Sequence, residues 1–505
     1  MHLFFLTSMI TFFYYSQIVG FERCEPHSPN LEELYIQLPV YHTPSNSPEP
    51  QSDFPSIPEP ELPSEPFQTF WDWKNACMEA IKRGKSPVTK EQFIQEMRNF
   101  CLHFKSEKNS VVYSKNWVKP SHSEIVMPSL HFLLGSALEP YVMKLEVDSD
   151  EKTVFIGDVH GDIQSFNEFL ESLIAHNITD PHDPFKVNSK SYIIFLGDYV
   201  DRGESGIEVL YALSRFIRVN MKDQLPKVFG LRGNHEDTIL NRYTSGNNLN
   251  QEIMTKFGNT NLWDTIESFY NCLPFALFLK TKTNALLACH GGIEPGFSDV
   301  QTILNTPGKL RYLLIDQLYR QEMFEKFSPE FSPAFNQLRL NDQYKNFDPC
   351  TDDFPLKDYG FLWTDYYFNP SESKQALITF NPNRGMKFPE QAAKEWLRVN
   401  SSPTCQLIGN IRAHQHGPET MPRLLNHDNK SDPTEVGLAK IWIATDQQQP
   451  VEKLWPGIIC TLCACPNTGY GIYYEYSFGT YAILTTGEQL DDWKLKVYRF
   501  IPNIP

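Results

Sequence analysis

The chain lacks any long, unbroken apolar run. Its greasiest stretch, "MHLFFLTSMITFFYYSQIVGFERC", is apolar from Leu3 to about Gly20, but Thr, Ser and Gln interrupt it. A helix that spans a bilayer needs roughly 20 predominantly apolar residues, so no stable membrane span is expected here. The Lys or Arg that usually precedes a secretory signal core is also missing, with only His2 in its place. Two readings of residues 1–20 stay open: an export signal, or a greasy tail on a cytoplasmic protein. A basic excess is absent as well. The 45 Lys and Arg stand against 61 Asp and Glu, for a net charge of −16, which opposes nonspecific binding to nucleic acid or to anionic membranes. The ten cysteines are too few and too scattered over 505 residues for a disulfide scaffold. Cys460, Cys463 and Cys465 make a C-x-x-C-x-C cluster, but no second C-x-x-C or neighbouring His pair completes a tetrahedral metal set, so they read as thiols in an ordinary loop. There is no internal repeat.

What is present describes a globular chain, 41% hydrophobic and 13% aromatic. An apolar segment over 1–22 precedes a Pro-, Ser- and Glu-rich linker over 23–66, where proline density blocks helices and central strands. Its 25–66 stretch is a spacer or a docking peptide for a partner. Residues 67–134 are expected to be a helical N-terminal region. Phe70, Trp73, Cys77, Ala80 and Ile81 share one helical face. A Thr89–Gln92 capping box then opens a second helix, whose stripe is Phe93, Met97, Phe100, Cys101 and Phe104. Residues 135–503 form the main domain, with an insertion at about 298–358 where the pattern loses its period.

From Thr153 the texture changes. "TVFIGDVHGD", "YIIFLGDYVDRG", "KVFGLRGNHE", "NALLACHGG" and "CQLIGNIRAHQ" are short apolar runs that end abruptly in polar residues. Each has the length of a buried strand, and helical stretches between the first three give an alternating α/β arrangement. Loops at one end of such strands converge on a crevice. They deliver Asp158 and His160, Asp198, Asn234 and His235, His290, and His414. Oxygen and imidazole donors without thiols suit Mn, Fe or Zn. The set is too large for one catalytic ion with an open position. Two divalent ions about 3.5–4 Å apart and sharing one carboxylate would use it, which implies phosphoester hydrolysis.

In order, "GDVHG" (157–161), "GDYVDRG" (197–203), "RGNHE" (232–236), "HGG" (290–292), "LWTD" (362–365), "NRG" (383–385) and "RAHQ" (412–415) resemble the signature series of the phosphoprotein phosphatases. These are the metal-dependent serine/threonine phosphatases among the calcineurin-like metallophosphoesterases, and the resemblance covers roughly residues 135–500. It implies an α/β (α+β) fold, a central β-sandwich flanked by helices, here with an N-terminal helical extension. It also implies that Asp158 and His160 bind a first metal, that Asp198 bridges, and that Asn234, His290 and His414 hold a second. Arg202, Arg384 and Asn234 would contact the substrate phosphate. His235 would be the general acid, oriented by Asp201, and hydroxide held by the two metals would attack a phosphoserine or phosphothreonine directly. Glu236 and His416 receive no catalytic role.

The chain departs from the family at Tyr366, where proline is usual, and in "CACPNTGYG" (463–471), a loose echo of the family's late loop that leaves Asn467 and Tyr470 as candidates only. Phosphotyrosine therefore stays open as a substrate. The alternative activities are a dinucleoside-polyphosphate hydrolase of the same fold and a catalytically weak scaffold that binds phosphoproteins.

Overall fold

The strands that carry the site are buried along nearly their whole length, on both faces, and this explains the layering. In this computed structural model they are β1 (Lys152–Ile156), β2 (Ser191–Phe195), β3 (Val228–Gly230), β4 (Asn284–Cys289), β5 (Gln406–Arg412) and β6 (Ile458–Thr461). The described residues are 66–109, 117–118, 141–222, 225–244, 246–258, 261–294, 297, 300–306, 311–313, 360–367, 377–381, 385–416, 439–441, 452–454, 456–463, 465–475 and 477–502. Residues 1–22, nearly all of the linker, most of the expected insertion, and Arg384 lie outside them.

The parallel strands β1, β2 and β3 belong to a six-stranded sheet; β4, β5 and β6, also mutually parallel, belong to an eight-stranded sheet. Phe155, Ile194 and Phe229 of the first sheet meet Leu286, Ala288, Ile408 and Ile411 of the second in one buried core. Alternate residues point the other way. Val154, Ile156, Ile193, Phe195 and Val228 pack under helices on one outer face, and Ala285, Leu287, Cys289 and Leu407 do so on the other. Successive side chains of a strand alternate between faces, and a sheet apolar on both faces needs cover on both. The result is helix, sheet, sheet, helix: the expected central sandwich.

The N-terminal extension covers the outer face of the first sheet. Its helices are α1 (Phe70–Lys82) and α2 (Lys90–Asn109). Thr89 and Gln92 exchange the two bonds of the capping box, at 2.8 and 3.2 Å. Trp73 stacks on Tyr211 at 5.2 Å between ring centroids, and its Nε1 donates to Asn167 at 3.2 Å. Phe93, Met97, Phe100 and Cys101 are buried, as the stripe requires; the Phe104 side chain lies outside the described residues. Two segments differ from expectation. Trp117–Val118, inside the span read as helical, is a short strand paired with Arg311–Tyr312. Arg311–Leu313 also pairs with Tyr141–Met143, and Val300, Ile303 and Leu304 are buried in the core, so the first part of the expected insertion is built into the main fold.

Candidate active site

The loops that follow β1, β2 and β5 are bent through an unusual backbone conformation. His160, Asp198, Asp201, Arg202 and His414 all have left-handed φ, between 48° and 74°. Non-glycine residues there carry strain of about 1–3 kcal/mol each, which persists only where surroundings dictate it. Close approach of the loops explains the glycines. A Cβ on Gly233 would lie 2.3 Å from Asp198 Oδ1, and one on Gly197 would lie 2.6 Å from Gly233. Glu236 ties the same loops together, accepting the backbone N–H of Asp198, Tyr199 and Gly233 at 2.7–2.8 Å. Burial, joined by the charge of Asp198, pushes its carboxyl up to about 7. Its place is structural, in line with the sequence reading.

The predicted ligands converge. Asp198 Oδ2 sits 3.4 Å from His160 Nε2 and 3.2 Å from His290 Nε2, so one carboxylate oxygen faces both sides of the centre. Its other oxygen accepts the backbone N–H of His235 at 2.9 Å. His160 Nδ1 bonds the carbonyl of Val200 and His290 Nδ1 that of Leu196, each at 2.9 Å. A carbonyl only accepts, so each Nδ1 carries a proton and a neutral ring turns an Nε2 lone pair inward. The His160 Nε2 is buried without a hydrogen-bond partner. Asn234 Oδ1 faces both His290 Nε2 and His414 Nδ1 at 2.9 Å, and those two nitrogens are 3.2 Å apart. In the His414 tautomer that carries its proton on Nε2, the nitrogen facing Asp365, these three lone pairs would repel one another without a cation among them. Asp158 is fully buried beside them and accepts the backbone N–H of His414 at 3.2 Å. This donor set of carboxylates, imidazoles and one amide oxygen fits divalent cations.

Electrostatics separates the histidines. Burial pushes His160 down to about 4, which suits a neutral ligand. Burial opposes the charge on His235 too, but Asp198 and the Asp201 hydrogen bond hold it above the usual value. Burial opposes the charge on Asp198, yet the imidazoles around it hold its carboxyl well below the usual carboxylate range. His235 Nδ1 meets Asp201 Oδ2 at 2.7 Å. Sequence reasoning missed what holds Asp201: Asn241 Nδ2 donates to it at 2.7 Å, Leu249 N–H at 2.8 Å, and Tyr270 donates to Asn241 at 2.9 Å. It also missed Asp365, whose Oδ1 stands 3.5 Å from His414 Nε2. A carboxylate behind a ligand histidine was discoverable in principle, since Asp365 ends the "LWTD" motif.

Arg412 of "RAHQ" is fully buried and donates to carbonyls of Gly291 and Thr364 and to Gln415, stitching three motifs together. The Tyr366 departure fits this stitch. Its N–H donates to Gln415 at 2.9 Å, a bond that proline has no hydrogen to make.

Arg202 lies near enough to His235 to oppose its protonation, and its guanidinium is 6.0 Å from the Tyr470 ring. Tyr470 reaches the site, stacking on His416 at 4.3 Å. Asn467 does not face it openly: its N–H and Nδ2 bond Asp162. His416, read from sequence as having no role, stands with Nε2 3.2 Å from Asp158 Oδ1. A groove of about 500 Å³ lined by Asn284, Ser401 and Gln406 sits where β4 and β5 begin, at the opposite end of these strands from the site.

The calcineurin-like phosphoesterase family model matches residues 151–431. The Caenorhabditis elegans protein named "Putative serine/threonine-protein phosphatase C06A1.3" is 32% identical over 168 residues, which is 32% of this chain and 40% of that relative. The alignment thus spans well under two thirds of the relative's length. A Saccharomyces cerevisiae serine/threonine phosphatase with similarity to human phosphatase PP5 superposes at a TM-score of 0.47 and 15% identity, covering 86% of this chain and 97% of that one. The cold-active protein-tyrosine phosphatase of a Shewanella species gives 0.34 and 15%, over 71% and 82%. With its motif-bearing strands inside the matched span, the chain belongs to the calcineurin-like phosphoesterases.

Proposed function

We propose that the chain is a phosphoprotein phosphatase that hydrolyses phosphoserine and phosphothreonine monoesters with two divalent cations, Mn, Fe or Zn, and a His235–Asp201 acid dyad. The observation that carries this reading is Asp198, whose single oxygen faces an imidazole nitrogen on each side at 3.2 and 3.4 Å. In it Asp158, His160 and Asp198 hold one cation, and Asp198, Asn234, His290 and His414 the other. Bound cations supply Lewis-acid charge at the phosphoryl oxygens and lower the pKa of the attacking water.

The chain's own groups do the rest. A seryl or threonyl oxygen leaves as a strongly basic alkoxide and needs a proton. His235 carries that proton because Asp198 and Asp201 favour its charged form against burial, and Asp201 takes up Nδ1 so that Nε2 is the donor. Arg202 grips the phosphate with the fork geometry that suits two parallel bonds. Arg384, outside the described residues, is assigned the same task from its motif. Asn234 faces the phosphate as well as the cation. Water adds directly to phosphorus, so no covalent phosphoenzyme forms. The name of the Caenorhabditis elegans relative agrees with this substrate class.

The test is turnover of phosphoserine, phosphothreonine and phosphotyrosine peptides beside diadenosine tetraphosphate, with metal content measured in the same preparation. Release of phosphate from the first two peptides is the expected result. Preference for the dinucleotide, or phosphopeptide binding without turnover in metal-loaded protein, overturns the assignment.

A further inference from the structure

The three residues that sequence reasoning left idle come together. His416 follows β5, and Cys463 and Cys465 follow the adjacent parallel strand β6. Their ligand atoms lie within 4.8 Å of one another, and all three residues are buried. Cys463 Sγ is 3.6 Å from Cys465 Sγ and 3.5 Å from His416 Nδ1. With Zn–S near 2.3 Å and Zn–N near 2.0–2.1 Å, a tetrahedral ion sets S···S at about 3.8 Å and S···N at about 3.5 Å. The observed separations are those of two edges of such a tetrahedron.

The backbone is already in place. Cys463 forms a bridge with Asp158, and its carbonyl accepts the N–H and hydroxyl of Thr480 at 3.0 and 2.9 Å. The Cys465 carbonyl accepts the Thr468 hydroxyl at 2.8 Å. Gly157 admits this approach, since a Cβ there would stand 2.3 Å from the Leu462 oxygen. His416 has two faces: Nδ1 towards the sulfurs, and Nε2 towards Asp158 Oδ1 at 3.2 Å. A histidine that binds a metal through one nitrogen commonly donates from the other to a carboxylate, which fixes its tautomer.

We propose that His416, Cys463 and Cys465 form a separate site for a thiophilic metal ion, zinc(II) in the first instance, which abuts the centre built on Asp158. Both thiols bind as thiolates and release their protons to solvent on loading. Three protein ligands leave a fourth position for water or a substrate group, as in open zinc sites. Because the other nitrogen of His416 faces Asp158 Oδ1 at 3.2 Å, loading fixes the ring edge presented to a carboxylate of the neighbouring centre.

Cobalt(II) reconstitution of the full, reduced chain tests this without any substrate, so its outcome stands apart from that of the phosphatase assignment. The oxygen and imidazole set around Asp198 contains no thiol. Among the described residues, His416 with Cys463 and Cys465 is the cluster that pairs thiols with an imidazole, so a thiolate-to-cobalt charge-transfer band that disappears in Cys463→Ser/Cys465→Ser reports this site. We expect the band in the wild type, in Asp198→Asn and in Cys460→Ser, and its loss in Cys463→Ser/Cys465→Ser together with about one equivalent of bound metal per chain. Absence of the band from reduced wild type overturns the proposal, whatever the folding of the variants. So does a His416→Gln variant that keeps the full band while losing metal, since His416 would then serve the Asp158–His160 side instead.

Discussion

The loop after β1 and the loop after β3 each place one imidazole in the same buried cluster, and they prepare it for opposite work. His160 and His235 stand with ring centroids 4.8 Å apart and planes at 90°. Both are buried, at 0% and 6% exposure, so depth does not separate them. Their Nδ1 partners do. His160 donates to a backbone carbonyl, which leaves the ring neutral, and burial takes it down to about 4. His235 meets the Asp201 carboxylate, and it lies above its usual value although burial opposes the charge. A neutral ring suits a cation ligand, and a charged one suits a proton donor. The partner atom, more than residue type or burial, decides which histidine does which task.

Breaking the element common to both loops should have the largest effect. Asp198 faces His160 and His290 with one oxygen and fastens the His235 backbone with the other. Asp198→Asn should strip the metal of the Asp198 centre, seen by elemental analysis as a fall in bound metal, and reduce phosphopeptide turnover beyond the roughly 10²–10⁴-fold that a general acid supplies. Next comes His235→Asn, which should keep the metal while turnover drops by about 10²–10⁴-fold. Loss of metal in His235→Asn would make His235 a ligand and erase the contrast between the loops; the closeness of His160, Asp198 and His235 makes that a real test.

What the sequence made legible follows this division. Each ligand stands just after a short, continuous apolar run, so the strands and their polar ends could be read together. The His160 and His235 difference was not readable from periodicity, because the deciding partner of His160 is the carbonyl of Val200, and every residue carries a carbonyl. Asn241 and Tyr270, which hold Asp201, arrive from helices after the motif and have no fixed spacing. His416 was passed over because its neighbours Cys463 and Cys465 arrive on the next strand, 47 residues on for Cys463. Contacts between strand ends are set by sheet order, which local spacing does not encode.

A smaller effect sharpens the contrast through protonation. Because the folded value of His235 is raised, its acid form is present at low pH and is lost as pH rises through that value. Asp201→Asn removes the hydrogen bond and the charge that favour the acid form, so the basic limb of kcat against pH should move to lower pH. A hydrogen bond to a charged group contributes about 1.5–3 kcal/mol, which corresponds to roughly 10–10²-fold in turnover where His235 should be protonated. An unmoved basic limb would mean that some other group sets it.

The least effect on turnover is expected from the region that only packs. Trp73 is fully buried in α1, stacked on Tyr211 of the helix Gly206–Val219. That helix begins only a few residues after Asp201 and Arg202, so a displaced Tyr211 has a short path to the acid dyad. Two anchors stand in that path. Glu252 accepts the N–H groups of Gly206 and Ile207 at 2.8 and 2.9 Å, and Asp201 accepts the N–H of Leu249 at 2.8 Å. Both fasten the start of the helix and its preceding loop to Leu249–Phe257 rather than to α1. Trp73→Ala should therefore reduce stability by about 3–5 kcal/mol, the usual range for removing a buried aromatic, as a lower Tm. Metal content, kcat per folded molecule and the basic limb should all stay in place. A shifted basic limb in Trp73→Ala would show that the N-terminal helices position the dyad, and the boundary between packing and chemistry would then have to move inside α1.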